Sequence, residues 1–118
     1  MPHYLLLLHE TPATYAELGP EEMRALVERY RAWSAALAGQ GRLVGGEKLA
    51  DDGGRHLRRA EGRPLATDGP YAEAHDVVGG YFTIEAADAA EAEALATDCP
   101  HLAHPGNWIE IRRIDALT

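Results

Sequence analysis

Five consecutive apolar residues, Tyr4 to Leu8, open the chain and are bounded by His3 and His9. An apolar run of this length is typical of a central β-strand covered on both faces. It is too short for the core of a signal peptide and far too short to span a bilayer. We therefore expect a strand at the middle of a sheet, in a soluble cytoplasmic protein that does not associate with membranes.

Two segments carry the periodicity of helices. The first begins at Pro20 and ends near Gly39, with apolar residues every three or four positions. The second begins at Asp88, which forms a capping-box pattern with Glu91, and is stopped by Pro100. Strands are predicted over residues 43–49, 78–86 and 108–114, and a hairpin is predicted with arms over 55–60 and 63–67.

This order of elements predicts one α+β domain over residues 1–118. It matches the ferredoxin-like βαββαβ plan with an extra hairpin, in which an antiparallel sheet carries two helices on one face. The alternation of the strands leaves a second face uncovered, where Tyr81, Thr83, Glu85, Glu110 and Arg112 surround the leucines of the first strand. Such an apolar centre with polar surroundings favours a partner, and we predict a homodimer.

Charge and cysteine content exclude several classes of protein. The net charge of -8 repels phosphate backbones, so no nucleic acid is expected as a partner. Cys99 is the single cysteine and cannot form an intrachain disulfide, which fits a reducing compartment. Its position on the inner face of the second helix predicts a packed thiol rather than a nucleophile.

The segment 68–74, Asp-Gly-Pro-Tyr-Ala-Glu-Ala, is followed at 78–82 by Val-Gly-Gly-Tyr-Phe. Together they resemble the signature of the DGPF-type branch of the YCII-related proteins. The resemblance implies a dimeric α/β barrel, with two sheets packed face to face around a shared cavity. Related barrels include small-molecule isomerases and cofactor-free oxygenases, and DGPF-type proteins are often associated with extracytoplasmic-function sigma factors. Tyr71 replaces the usual phenylalanine, and His75 replaces the commoner lysine.

Asp68 and His101 are the candidate catalytic residues. A carboxylate at the end of a strand, beside the turn Gly69-Pro70, can be partly buried and so suited to acid–base chemistry. The same residues also fit a purely structural turn, in which Asp68 accepts backbone N–H bonds. His101 matches the Cys-Pro-His-Leu pattern that the resemblance implies, and its structural alternative is a histidine that interacts with the last carbonyls of the second helix.

The candidate ligand-binding residues fall into two groups. Tyr81, Glu85, Glu110 and Arg112 share the uncovered face of the sheet. Glu73 and His75 lie in the loop after Asp68, where His75 can titrate near neutral pH or simply face solvent. The basic hairpin, with Arg55, His56, Arg58, Arg59 and Arg63, is either a solvated edge or a site for an anion or a partner.

No cofactor and no metal are predicted. His101 and His104 lack the spacing that aims two helical histidines at one ion, and Gly45-Gly46 and Gly79-Gly80 do not form a phosphate-binding loop. Two functions remain open at this point. One is a dimer that binds a small organic molecule, with acid–base catalysis as an open question, and the other is a non-catalytic regulatory or interaction module associated with a sigma factor.

Overall fold

A computed structural model describes residues 1–11, 18–51, 54–68 and 76–117. In chain order its elements are β1 (His3–Glu10), α1 (Pro20–Gly39), β2 (Leu43–Lys48), β3 (Arg55–Ala60), β4 (Arg63–Asp68), β5 (Val77–Glu85), α2 (Ala89–Thr97), a 3₁₀ helix (Pro100–Ala103) and β6 (Trp108–Arg113). Every predicted element is present close to its expected bounds. No helix in the described ranges is long and apolar enough to cross a membrane.

Local chemistry explains where the two helices begin. Pro20 occupies the first turn of α1, and the acidic Glu21 and Glu22 beside it interact favourably with the helix dipole. At α2, Asp88 Oδ1 accepts a hydrogen bond from the backbone N–H of Glu91 at 2.9 Å, which confirms the predicted cap. The Glu91 carboxylate in turn binds the Arg42 guanidinium, and this bond lowers the pKa of Glu91.

Four strands form one antiparallel sheet in the order β2-β5-β1-β6, as the ferredoxin-like plan requires. The extra hairpin is also present, since β3 pairs antiparallel with β4 from Arg55 opposite Asp68 to Ala60 opposite Arg63. These two strands form a separate sheet of their own.

Both helices cover the same face of the four-stranded sheet. Leu6 and Ile84 are fully buried there, against Leu37 of α1 and Ala92 of α2. On the opposite face Leu5 and its strand neighbours are only half-buried. The expectation that β1 is covered on both faces is therefore wrong for a single chain. Burial alternates along β1 from half-buried to buried, and the unbroken run of apolar residues gives no sign of this alternation.

Candidate functional site

A cavity of about 510 Å³ lies between α1 and the helix-covered face of the sheet. Its wall is largely apolar, with contributions from Leu8, Met23, Leu26, Val27 and Phe82. A cavity of this size and character is typical of sites for small organic molecules, in which a few polar groups orient the ligand. Those polar groups include Glu10, Tyr30 and His101.

His101 is held by hydrogen bonds on both sides of its ring. Its Nε2 lies 2.7 Å from the backbone carbonyl oxygen of His9, and its Nδ1 lies 2.9 Å from the hydroxyl of Tyr30. The residue is 1% exposed. Asn107 Nδ2 donates to the His101 carbonyl at 3.2 Å, which fixes the backbone that carries the ring.

These contacts decide which nitrogen of His101 carries the proton. A carbonyl oxygen only accepts hydrogen bonds, so the proton must lie on Nε2. Burial is the largest cause that lowers the pKa of His101, which favours the neutral ring. The unprotonated Nδ1 then accepts the hydrogen bond of the Tyr30 hydroxyl, and the oxygen of Tyr30 serves as an acceptor toward other groups.

The structural alternative for His101 placed its ring on the last carbonyls of α2. Its ring instead forms hydrogen bonds with the His9 carbonyl of β1 and with the Tyr30 hydroxyl of α1. The physical reason is Pro100, which begins the 3₁₀ helix and carries the next residue beneath α1.

Glu10 is the last residue of β1 and is only 6% exposed. The pairing of β1 with β5 shifts between Leu8 and His9, opposite Gly79, which is the signature of a β-bulge. A Cβ atom added at Gly79 would lie 1.8 Å from Glu10 Oε1. Glycine at position 79 therefore makes the space that the Glu10 carboxylate occupies.

Sequence reasoning did not select Glu10 or Tyr30 as site residues, although a signal for each exists. Extending the alternation of β1 by one residue places Glu10 on the same face as Leu6 and Leu8, where a carboxylate is unusual. Tyr30 belongs to the apolar stripe of α1, and such a stripe predicts core packing.

The four ligand-binding candidates on the sheet do share one face, but it is the uncovered one. Glu110 Oε1 lies 3.0 Å from His9 Nε2, and this bond is the first cause that lowers the pKa of Glu110, with Arg112 contributing further. The His9 ring stacks on Trp108 at 3.8 Å between centroids, with 6° between the planes. Glu85 bonds His3 at 3.1 Å.

Tyr81 lies opposite Leu7 in the register, on this same face. The sheet therefore separates Tyr81, Glu85, Glu110 and Arg112 from His101, which lies on the helix-covered side.

Asp68 lies at the end of β4, where its Oδ1 is 2.7 Å from Arg55 Nη1. Its side chain is 89% exposed. It is absent from the described wall of the cavity, so the two catalytic candidates are not brought together there. Glu73 and His75, like most of the motif that follows Asp68, lie outside the described residues.

Cys99 is buried, and desolvation raises the pKa of its thiol to about 11, as expected for a packed cysteine. In the part of the chain that the structure describes, no three His, Cys, Asp or Glu side chains are grouped to hold a metal ion.

A family model described as the YCII-related domain matches residues 2–117. No match was found among curated proteins.

Proposed function

Because the chain belongs to the YCII-related family, whose model covers residues 2–117, we propose that it binds a small organic molecule in the cavity beneath α1. The observation that carries this proposal is the hydrogen bond between half-buried Tyr30 and buried His101 at the wall of a largely apolar cavity. We also assign the chain to the DGPF-type branch, on the motif at residues 68–74.

The wall also carries the charged residues Arg31, Glu47, Lys48 and Asp51, and the polar group that the ligand needs beside His101 follows from the hydrogen-bond directions there. The proton of Tyr30 is directed to His101 Nδ1, and the Nε2 proton of His101 is directed to the His9 carbonyl. The Tyr30 oxygen and the Glu10 carboxylate are then both acceptors. A complementary ligand has an apolar body of aromatic size and carries an O–H or N–H donor.

The same arrangement supports acid–base chemistry. The Glu10 carboxylate accepts a proton from the bound molecule, and the electron pair of the broken bond stays on that molecule. Tyr30 orients the donor group, and neutral His101 keeps the hydroxyl of Tyr30 aligned. In this proposal Glu10 takes the acid–base role for which the sequence suggested Asp68.

A calorimetric titration tests the selectivity, with 1-naphthol and 1-methoxynaphthalene as probes that differ in one O–H donor. We expect the intact protein to bind 1-naphthol more tightly. The substitution Tyr30→Phe removes the acceptor and keeps the ring, so it should weaken 1-naphthol binding by about 5- to 10-fold and leave 1-methoxynaphthalene binding unchanged.

The matched control is Tyr81→Phe, which makes the same chemical change on the uncovered face. It should alter the affinity for neither probe. If Tyr81→Phe weakens 1-naphthol binding and Tyr30→Phe does not, the ligand site lies on the other side of the sheet. If neither probe binds the intact protein, the proposal is wrong.

The second function is an interaction module whose partner is an extracytoplasmic-function sigma factor. The exposed, arginine-rich hairpin of β3 and β4 is the feature that favours it, since regulatory contacts commonly use such charged surfaces. Stable capture of a purified sigma factor by the intact protein, together with no binding of either probe, would favour this function over the cavity.

A further inference from the structure

The charge of the cavity wall is negative. Among the residues that the structure describes there, the carboxylates outnumber the cations by one, and these charged residues are Glu10, Glu47, Asp51, Arg31 and Lys48. The whole chain carries -8, so its overall field has the same sign. A field of this sign attracts a positively charged ligand and repels a negatively charged one.

The two cations of the wall lie in solvent, and each already contacts a carboxylate. Arg31 Nη1 lies 3.2 Å from Glu28 Oε1, and Lys48 Nζ lies 3.1 Å from Asp51 Oδ1. The side chains of Arg31 and Lys48 are 73% and 69% exposed. Water and salt screen charges in such positions, so they contribute little to the binding of a charged group inside the cavity.

Glu10 is the charged residue of the wall that burial sets apart, since it is only 6% exposed. Folding has already removed its carboxylate from water. A cationic ligand therefore gains the attraction of this buried charge, and the desolvation cost on the side of the protein is met before the ligand binds. A carboxylate has about four acceptor positions, so Glu10 can bind a ligand in addition to groups of the chain.

The groups next to Glu10 add a second acceptor. The ring of His101 spans from the carbonyl of His9, the residue before Glu10, to the hydroxyl of Tyr30. Both acceptors therefore lie near the same ring, and the neutral ring adds no positive charge that would repel a cation. An ammonium group carries three N–H donors and can serve both acceptors at once, whereas an alcohol carries one.

We propose that the ligand of this cavity is a primary amine with an aromatic body, bound as its ammonium ion between the Glu10 carboxylate and the Tyr30 oxygen. The inference rests on the proposed function, because it names the chemical class of the small molecule that the cavity binds. The apolar wall, which includes Leu26 and Phe82, packs against the aromatic body.

Calorimetric titration near neutral pH tests the class of ligand with three probes that share one ring system: 1-naphthylmethylamine, 1-naphthylmethanol and 1-naphthoic acid. The intact protein should bind the amine about tenfold or more tightly than the alcohol, and the acid more weakly than the alcohol. Glu10→Gln keeps the shape and one acceptor oxygen but removes the charge. It should weaken binding of the amine by about tenfold and change binding of the alcohol by less than about twofold.

The matched control is Glu93→Gln, which makes the same change in net charge at an exposed position of α2, outside the described wall of the cavity. It should change the affinity for the amine by less than about twofold. Circular dichroism checks that both variants are folded. If Glu10→Gln does not fold, the order of the three affinities on the intact protein decides the question.

The outcomes separate this inference from the function on which it rests. If the alcohol binds as tightly as the amine, or if Glu10→Gln weakens binding of the amine no more than Glu93→Gln does, the amine class is wrong and the cavity remains a ligand site. If the acid binds most tightly, the ligand is an anion held by Arg31 or Lys48, and the inference is overturned. If none of the three probes binds, both the inference and the proposed function are wrong.

Discussion

Acidification should destabilise the protein through His101. Burial, with a smaller repulsion from His104, lowers the pKa of this residue below the ordinary value of 6.5. Between the lowered pKa and 6.5, the unfolded chain binds a proton that the folded chain does not. The stability conferred by neutral His101 is therefore fully present above the ordinary pKa and is lost as the pH falls toward the lowered one. Within that window the free energy of unfolding should fall by about 1.4 kcal/mol per pH unit.

Urea unfolding followed by circular dichroism, from about pH 8 to about pH 5, measures this slope across the range in which histidine titrates. His101→Gln keeps an N–H donor for the His9 carbonyl and does not titrate. Subtracting the free energy of unfolding of the variant from that of the wild-type protein at each pH removes the contributions of the other histidines and the carboxylates, which both proteins share. We expect the wild-type protein to lose stability more steeply on acidification than the variant. Equal slopes would refute the argument, since they would mean that His101 titrates alike in the folded and unfolded chains.

Two further predictions concern packing. Gly46→Ala should lower the free energy of unfolding by about 1–3 kcal/mol, because the new Cβ would lie 2.7 Å from the Tyr81 carbonyl oxygen and 2.6 Å from Phe82 Cδ1. Gly45→Ala, where nothing lies within 4 Å of the added atom, is the matched control and should be neutral in urea unfolding; equal effects would contradict this explanation. Cys99, with its thiol pKa raised to about 11, should react with iodoacetamide on the order of a hundredfold more slowly in the folded chain than in urea. Mass spectrometry measures the two rates. Comparable rates in the folded chain and in urea would contradict this explanation, because they would show that the folded thiol is accessible and ionised.

Much of the fold can be predicted from the local chemistry of the sequence. Pro20 and Asp88 mark the starts of the two helices because proline and a capping carboxylate act within one turn. The alternation in β5 assigns Phe82 and Ile84 to the core face because successive strand side chains point to opposite sides. The turn at Glu61-Gly62 joins the hairpin as expected, with Gly62 at a φ of 77° that glycine adopts without strain. Each of these signals depends on neighbours in the sequence.

The candidate site depends on contacts between distant parts of the chain. His101 was identified by its motif, but its proton position follows from Tyr30 and from the carbonyl of His9, which are 71 and 92 residues away in the chain. No periodicity predicts that a bulge at Gly79 makes room for the carboxylate of Glu10, because the space arises only when β5 pairs with β1.

The sequence alone was therefore sufficient for the elements, their order and the two faces of the sheet, since propensity, capping and alternation act over a few residues. Only the tertiary structure decided that His101 and the uncovered-face residues Tyr81, Glu85, Glu110 and Arg112 belong to different sides. The four strand residues face away from the helices because of their positions in the strand alternation, whereas His101 lies in the 3₁₀ helix and its side is fixed by its bonds to Tyr30 and to the His9 carbonyl.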